Sequence, residues 1–409
     1  MVKKISILGL LITALLIFTS CLNIFNPFIP TYTVIYNGNN HTSGNVPLDT
    51  NNYEQEAEVT ILGNIGNLVR TDYTFADWNT QSDGTGTNYA VGDTFSMGNA
   101  DVTLYAKWSL AAAAKETYTA NGVSFKMSYV PGGEYIIPIG TGDSRRATVN
   151  DSYWIGVSEV TYELWEKVYN WATSSGGYSF ANTGRQGGTN NNDSSSPVGN
   201  KQHPVTTINW QDAMVWSNAL TEWYNAQNGT CLTIVYKDNG IPIRDSRDSN
   251  IEQCNAVIPE ATATGFRLLT SNEWEFAARW RGDDRTNTVY IQRRYTDPWF
   301  TKGNSASGAT ADYNNAAATG AVAWYCSNSD SSTHEVKGKI PNTLGLYDMS
   351  GNIREWCFDC NPLYSEYFRV SRGGSWGYYP IVLQIGYVYH SYQVNVFSYV
   401  GFRLARSAE

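Results

Sequence analysis

The sequence predicts an α+β chain in two parts, a small β-rich module followed by a larger, loop-rich domain. Three observations predict it: alternating β-branched and aromatic residues between turn signals over 32–108, three readable capped helices further on, and long Gly/Asn/Ser-rich stretches between those helices. At about 150 residues per folding unit, 409 residues allow two or three such units. Charged residues make up 16% of the chain, against about 25% in an ordinary soluble domain. Aromatics reach 14%, with 28 Tyr and 14 Trp, so something other than charge keeps the surface wet. A net charge of −9 argues against a nucleic-acid binder, which needs a basic footprint on phosphate. The 36 scattered Gly exclude a coiled coil and a polytopic membrane protein, and the Trp content excludes disorder.

At the N-terminus, Lys3 and Lys4 precede an apolar run from Ile5 to Phe18, the length of a signal-peptide core and short for a membrane span. Phe18-Thr19-Ser20-Cys21 resembles a relaxed bacterial lipobox. Residues 1–20 are therefore expected to be a lipoprotein signal peptide, with Cys21 lipidated; the alternative is an ordinary cleavage site beside a chance cysteine. Lipidation implies an extracytoplasmic protein anchored in a membrane, on the outer surface of a bacterial cell. Of the remaining cysteines, Cys231 and Cys254 could close a disulfide loop in an oxidising compartment, worth about 3 kcal/mol. Cys357 and Cys360 have thioredoxin-like spacing without the strand-to-helix context. Zinc would want a second pair or nearby histidines, and the chain has only His41, His203, His334 and His390. With Cys326, these read as structural or incidental thiols.

The first module, expected over 31–109, carries the strand-like residues Tyr32, Val34, Tyr36, Val59, Ile61, Phe75, Trp78, Val102, Leu104, Tyr105 and Trp108. Asn37-Gly38, Asp83-Gly84 and Gly92-Asp93 supply the turns. Its motifs Val34-Ile35-Tyr36-Asn37-Gly38, Tyr73-Thr74-Phe75-Ala76-Asp77-Trp78 and Leu104-Tyr105-Ala106-Lys107-Trp108 resemble one copy of the internalin B-type (Listeria-Bacteroides) repeat. That resemblance implies a β-grasp-like spacer or adhesive module with no active site. An Ala-rich linker is expected over 110–117, and the second domain over 118–409. In that domain Thr161 caps a helix with Leu164, Val168 and Ala172 on one face, and Asn209 caps another with Ala213, Trp216, Leu220 and Trp223. Thr270 and Glu273 form a capping box ahead of Trp274, Ala277 and Ala278. The aromatic stripes on these helices read as core.

An ordered series of motifs follows: Val130-Pro131-Gly132-Gly133, Glu159-Val160-Thr161, His203-Pro204-Val205, Gly265-Phe266-Arg267-Leu268, and Glu273-Trp274-Glu275-Phe276-Ala277-Ala278-Arg279. Then come Gly345-Leu346-Tyr347-Asp348-Met349-Ser350-Gly351-Asn352, Glu355-Trp356, Arg372-Gly373-Gly374-Ser375-Trp376 and Gly401-Phe402-Arg403-Leu404. Over residues 123–406 the chain resembles the formylglycine-generating enzyme (sulfatase-modifying factor) family, which implies a loop-rich C-type-lectin-like fold. Catalytic members of that family resemble copper oxidases that bind the metal through two thiolates, about three and about eight residues past the Ser of Gly-Gly-Ser. Those places hold Tyr378 and Leu383 here, and neither side chain replaces a soft thiolate. No copper and no oxidase activity are therefore expected; a formylglycine-generating oxidase is the alternative reading. The iron-dependent sulfoxide synthases are equally remote, since they use a histidine-rich helical domain.

From Gly377 to Val400 there is no Lys, Arg, Asp or Glu, while six Tyr, one Phe and one His occur. This segment resembles that of retroelement-diversified variable proteins, whose sequence after Gly-Gly-Ser-Trp is rewritten by adenine-specific mutagenesis. The resemblance implies fifteen variable, ligand-binding positions: Gly377, Tyr378, Tyr379, Ile381, Val382, Tyr387, Tyr389, His390, Ser391, Tyr392, Val394, Asn395, Phe397, Ser398 and Tyr399. Each residue is one the mutagenesis can produce from an Asn codon, and Gln384 and Gln393 fall on scaffold positions. Tyr offers large amphipathic contact at low entropic cost, with Ser, Asn and Gly adapting around it; the competing reading is an ordinary aromatic β-core. The family also implies a structural calcium at Asp348, Gly351, Ile353 and Glu355, two side-chain and two main-chain oxygens suiting a hard cation. The competing reading there is a turn whose Asp accepts backbone N–H bonds; Asn314 matches a second calcium site only weakly. The expectation is thus a surface lipoprotein that binds a protein or other surface ligand without catalysis, requires no cofactor beyond that calcium, and does not bind nucleic acid. A purely structural envelope protein is the third class.

Overall fold

The computed structural model describes residues 29–132, 135–189, 200–247, 251–281, 300–361 and 365–408. The signal segment and Cys21 lie outside them. The chain divides into two compact units between Ser109 and Leu110.

In the first unit, β1 (Val34–Asn37), β2 (Tyr73–Asn79), β3 (Asn88–Tyr89) and β4 (Val102–Leu110) form one sheet in the order β1-β4-β2-β3. β1 runs parallel to β4, Val34 opposite Val102 and Asn37 opposite Tyr105, a pairing that needs a long crossover. The alternation read in the sequence is the inside-outside alternation of the pleat: Val34 and Tyr36 are buried, Ile35 and Asn37 exposed. Trp78 is fully buried, meets Tyr36 edge-on at 4.7 Å and donates its indole N–H to Leu62 O at 2.9 Å. The Asp83-Gly84 turn is held from within by Asn79, whose amide reaches Gly84 O, Gly86 O and Asn88 Oδ1.

The second unit contains β5 (Lys115–Ala120), β6 (Val123–Val130), β7 (Tyr153–Gly156), β8 (Phe266–Leu268), β9 (Arg354–Asn361), β10 (Ser365–Arg372), β11 (Tyr389–Tyr392), β12 (Val400–Phe402) and β13 (Leu404–Ser407). They form a five-stranded sheet, β8-β13-β7-β6-β5, and a four-stranded sheet, β11-β10-β9-β12. The expected linker is part of this unit. Ala113 N–H donates to Tyr129 O, Tyr129 N–H to Ala114 O, and Lys115 to Thr117 pair with Ser128 to Lys126. The Ala-rich stretch looked like a spacer because it has no large side chains, yet its backbone groups are spent on β6.

The three helices form where their caps predict. α1 (Tyr162–Trp171) is capped by Thr161, α2 (Trp210–Asn228) by an Asn209/Asp212 box, and α3 (Ser271–Arg279) by a Thr270/Glu273 box. α2 departs from the one-faced helix expected, because its first three turns are buried all round, polar residues included. Most of those residues are satisfied, Gln211 Oε1 being the exception: Asn218 donates to Tyr236 O and Ile243 O, Thr221 takes Phe266 N–H, and Asp212 takes Ala181 N–H and the Ser246 hydroxyl. A buried polar helix is stable only on that condition. Trp165 on α1 stacks on Trp216 of α2 at 5.3 Å, with Phe402 edge-on to both, at the centre of the larger core. A second core gathers Tyr153, Trp274, Phe276, Leu346, Cys357 and Ile385.

Cys231 and Cys254 are both free, which corrects the expected disulfide. Cys231 is exposed, whereas Cys254 is buried, with its thiol 3.7 Å from Asp245 O and pushed up to about 12 by burial. Cys357 and Cys360 both lie on β9, without a helix N-terminus to stabilise a thiolate, and burial pushes the Cys357 thiol well above its usual range.

Candidate functional site

Residues 377–399 are pinned by contacts that their own scaffold positions make. Leu383 is fully buried among Ala306, Val322, Ala323 and Tyr325, and Ser350 Oγ donates to its carbonyl. Ile385 N–H and Gly386 N–H donate to Ser305 O and Gly303 O. Arg372 Nη1 donates to Ile385 O and Tyr387 O. Gln393, fully buried, exchanges backbone bonds with Tyr367 and Trp210, and Gln384 is nearly buried. Gly386 passes so close to Gly140 that a Cβ would lie 2.1 Å from its carbonyl carbon, and Gly374, at φ +71, packs under Val382 and Leu383.

Between these pins the fifteen singled-out positions divide. Tyr379 (73%), Ile381 (50%), Tyr392 (49%) and Val394 (37%) are the exposed large side chains of the segment, with Asn395 exposed beside them. Gly377, Tyr378, Val382, Tyr387, Tyr389, His390, Phe397 and Tyr399 are half-buried. Ser391 and Ser398 are buried and cannot touch a ligand in this conformation, which corrects their assignment to the binding surface. Ser391 faces inward on β11 opposite Arg369, and Ser398 supplies its carbonyl to the Trp376 indole. Tyr387, Val388, Tyr389, His390 and Phe368 line an open cleft of about 330 Å³.

The half-buried rings form one array: Tyr387–Tyr389 at 6.1 Å, Tyr389–Tyr378 at 6.4 Å, Tyr378–Tyr399 at 5.5 Å and Tyr399–Phe397 at 5.1 Å. Its centre is Arg354, the first residue of β9, which the sequence reading did not single out. Its guanidinium lies 3.8 Å from the Tyr389 ring centroid, with Tyr399 at 5.0 Å, Tyr378 at 5.1 Å and Phe397 at 5.9 Å. An Arg two residues before Trp356 in a strand gave no signal, because only the fold brings it under the distant aromatic segment.

Tyr378 and Leu383, at the positions of the family's thiolates, sit in this region without sulfur. One thiol does approach. Cys326 N–H donates to Tyr378 O, and its side chain packs against the Leu383 cluster. A two-thiolate copper site needs a second sulfur, and Leu383 supplies only alkyl surface.

The expected calcium donors do not fit as a set. Asp348 is suited in part: Oδ2 accepts Lys337 N–H at 2.7 Å, while Oδ1 is buried without a partner. Glu355, however, is committed to Arg403. The Arg403 Nε and Nη2 reach its two oxygens at 2.7 to 3.1 Å, and the Trp274 indole donates at 2.8 Å. Gly351 N–H donates to Gly373 O and Ile353 N–H to the buried Glu159, bonds that leave the two main-chain carbonyls of the expected set uncommitted, so the misfit rests on Glu355. Among the described residues no three His, Cys, Asp or Glu side chains are grouped to hold a metal ion. Burial lifts Asp348 to about 6, and burial with the Asp348 and Glu355 charges lifts Glu159 well above the carboxylate range. Asn314 only donates its N–H to Asp312 in an exposed turn.

Charged residues of other family motifs are held in ion pairs. Glu275 bridges Arg279 and Arg372 at 2.8 and 2.7 Å inside the protein, and Arg267 pairs with Glu273 at 2.7 Å.

Residues 111–408 match the sulfatase-modifying factor enzyme 1-like domain, and residues 32–107 the Listeria-Bacteroides repeat domain. A protein of Paenibacillus barcinonensis named "Chaperone protein LppX" is 28% identical over 260 residues, 62% of this chain and 79% of that one. Among solved structures, Treponema denticola variable protein 1 is 28% identical with a TM-score of 0.52, covering 72% of this chain and 99% of that one. The crystal structure of CarF is 26% identical with a TM-score of 0.55, covering 70% and 99%. These likenesses agree with the α+β, C-type-lectin-like fold of the larger unit and the β-rich character of the smaller.

Proposed function

The chain belongs to the sulfatase-modifying factor enzyme 1-like family, and on that premise we propose that it is a non-catalytic binding protein whose ligand-recognising face is the Tyr-rich segment 377–399. The observation that carries this reading is the division within the segment. Leu383, Gln384, Ile385, Gly386 and Gln393 hold the backbone from inside, while Tyr379, Ile381, Tyr392, Val394 and Asn395 project outward. A backbone fixed by non-variable positions tolerates side-chain exchange at the others, which is what a diversified surface requires. Exposed tyrosines and aliphatics without charge suit a protein surface, and the contacts they make themselves are insensitive to salt. The likeness to a variable protein and to a protein named as a chaperone supports the same reading.

An oxidase would need two thiolates where Tyr378 and Leu383 stand, so the family's copper chemistry is not part of this proposal. The apolar leader and Cys21 support a lipid-anchored, extracytoplasmic location. Among the described residues no helix is long and apolar enough to cross a membrane. The first unit then acts as a spacer.

The test is the sequence of the coding segment for Arg372 to Ser407 in sister strains, together with a search nearby for a near-copy carrying Asn codons. Differences confined to the exposed and half-buried positions are expected; invariance there would sink the proposal. In parallel, Ala at Tyr387, Tyr389 and Tyr392 together should lower the melting temperature by only a few degrees. A collapse of the fold would instead make these rings core.

A further inference from the structure

Arg354 is in an unusual electrostatic position. It is 3% exposed, yet its Nε and Nη1 have no hydrogen-bond partner. Its Nη2 makes a 3.5 Å contact to Tyr378 Oη, at the outer limit of a hydrogen bond. Among the described residues no carboxylate pairs with it; buried Arg369 also lacks one, but donates instead to Phe358 O at 3.1 Å and Asn255 Oδ1 at 3.2 Å. Arg279, Arg372 and Arg403 each bind a buried glutamate at 2.7 or 2.8 Å. A buried guanidinium costs several kilocalories to desolvate unless it is paired, and the surrounding rings offset only part of that through cation–π attraction.

Arg354 borders a recess lined by Ser371, the Gly373-Gly374 turn, Val382, Tyr378, Tyr387 and Tyr389, with Arg372, itself paired to Glu275, also on its lining; in this conformation it is closed, with no room for a water. Ser371 Oγ is likewise buried without a partner. Tyr387 and Tyr389 also line the open 330 Å³ cleft, so the same two rings separate the cleft from the guanidinium. An unpaired cation and an unpaired hydroxyl share one aromatic-walled recess, and two side chains stand between them and solvent.

We propose that Arg354 is an anion-anchoring site on the binding face, and that the ligand it takes presents a carboxylate. The terminal edge of the guanidinium, Nη1 beside the weakly engaged Nη2, can receive the two oxygens of a planar carboxylate, and Ser371 Oγ can donate a further bond. Tyr389, stacked on the guanidinium, and Tyr387 must turn toward the cleft for the carboxylate to reach it. A carboxylate meets the guanidinium edge in one plane and needs less opening of this closed recess than a tetrahedral phosphate. On a protein ligand the carboxylate is an Asp or Glu side chain or the chain terminus. The recognising charge then comes from β9, outside the diversified segment, which itself contains none. This inference rests on the reading of residues 377–399 as the binding face.

The experiment uses the full chain and four small probes: N-acetyl-aspartate amide, its asparagine counterpart, N-acetylglycine with a free carboxylate, and N-acetylglycine amide. Binding is followed by tyrosine fluorescence and by the melting temperature, with inorganic phosphate as a further arm. Saturable binding of a carboxylate probe is expected, at least tenfold tighter than its amide partner, weakened tenfold by Arg354→Lys and lost in Arg354→Gln. Preference between aspartate and N-acetylglycine separates side chain from terminus. Equal behaviour of each acid and its amide, tighter binding of phosphate, or unchanged binding by Arg354→Gln would overturn the proposal. Should Arg354→Gln fail to fold, Ser371→Ala locates the site and the acid-amide comparison on the unaltered protein still decides. If sister strains vary at the exposed positions while no carboxylate binds, the face stands and the anion site falls.

Discussion

Glu355 is where an ion-pair reading and a metal reading of the same carboxylate predict opposite results. In the ion-pair reading, Glu355→Gln leaves Arg403, which is fully buried, without the partner that meets it at 2.7 to 3.1 Å. Breaking a buried pair by removing one member costs about 3–5 kcal/mol. The lower end applies, because Arg403 keeps Gly156 O at 2.8 Å and Tyr347 O at 2.7 Å, and the Gln oxygen can still take the Trp274 indole. With about 2 cal/mol/K of unfolding entropy per residue and about 300 residues in the second unit, a loss of about 3 kcal/mol lowers its melting temperature by roughly 5 °C. The assay is thermal unfolding of the full chain followed by near-UV circular dichroism, in calcium and in chelator. The expected drop is the same in both. A wild-type melting temperature that climbs with calcium, together with a Glu355→Gln defect confined to calcium, would refute the reasoning and restore Glu355 as a metal ligand.

The neighbouring carboxyl gives a pH prediction of opposite sign to the common one. Burial raises Asp348 to about 6 from its ordinary 3.8, so its contribution to stability is full below about pH 4 and is lost as pH rises through 6. Asp348→Asn, which keeps an oxygen for Lys337 N–H and suits φ +57, should therefore stabilise by about 2–3 kcal/mol above pH 6 and change little at pH 4; a lower melting temperature at pH 7 would show that the charge is needed. Exposed Cys231 should react with a thiol reagent in the native protein and buried Cys254 only after unfolding, with reductant leaving the melting temperature unchanged. A Cys231–Cys254 peptide in a non-reducing digest would contradict this.

The legible parts of the fold were those written locally. Thr161, Asn209 and Thr270 mark three helix starts because capping is a matter of three or four residues. The alternation of Val34 to Asn37 and the Asp83-Gly84 turn are similarly local. The order of the Trp- and Gly-bearing motifs carried the rest of the larger unit through resemblance. What local reading missed depends on distant partners. Residues 110–117 look like a spacer until β6 takes their backbone groups. Ser391 and Ser398 look adaptable until the strand's inside-outside alternation and the Trp376 indole bury them. Arg354 looks like a surface charge until a segment more than twenty residues later closes over it.

That last case also bears on why the segment can lack charge. Rings at 378, 389, 397 and 399 surround one buried cation contributed by β9. A charged residue at any of these positions would alter the potential at Arg354 directly: an Asp would neutralise it and a Lys would repel it, each at short range in a low-dielectric setting. On the proposed reading, exchange among Tyr, Phe, Ser, Asn, Ile, Val and Gly would reshape the walls of this recess and leave the cation unpaired, whereas Asp, which an Asn codon also yields, would supply the missing anion from within the segment. A sister sequence with Asp at one of these four positions is therefore expected to lose carboxylate binding, and one that still binds the probe would refute the role given to Arg354.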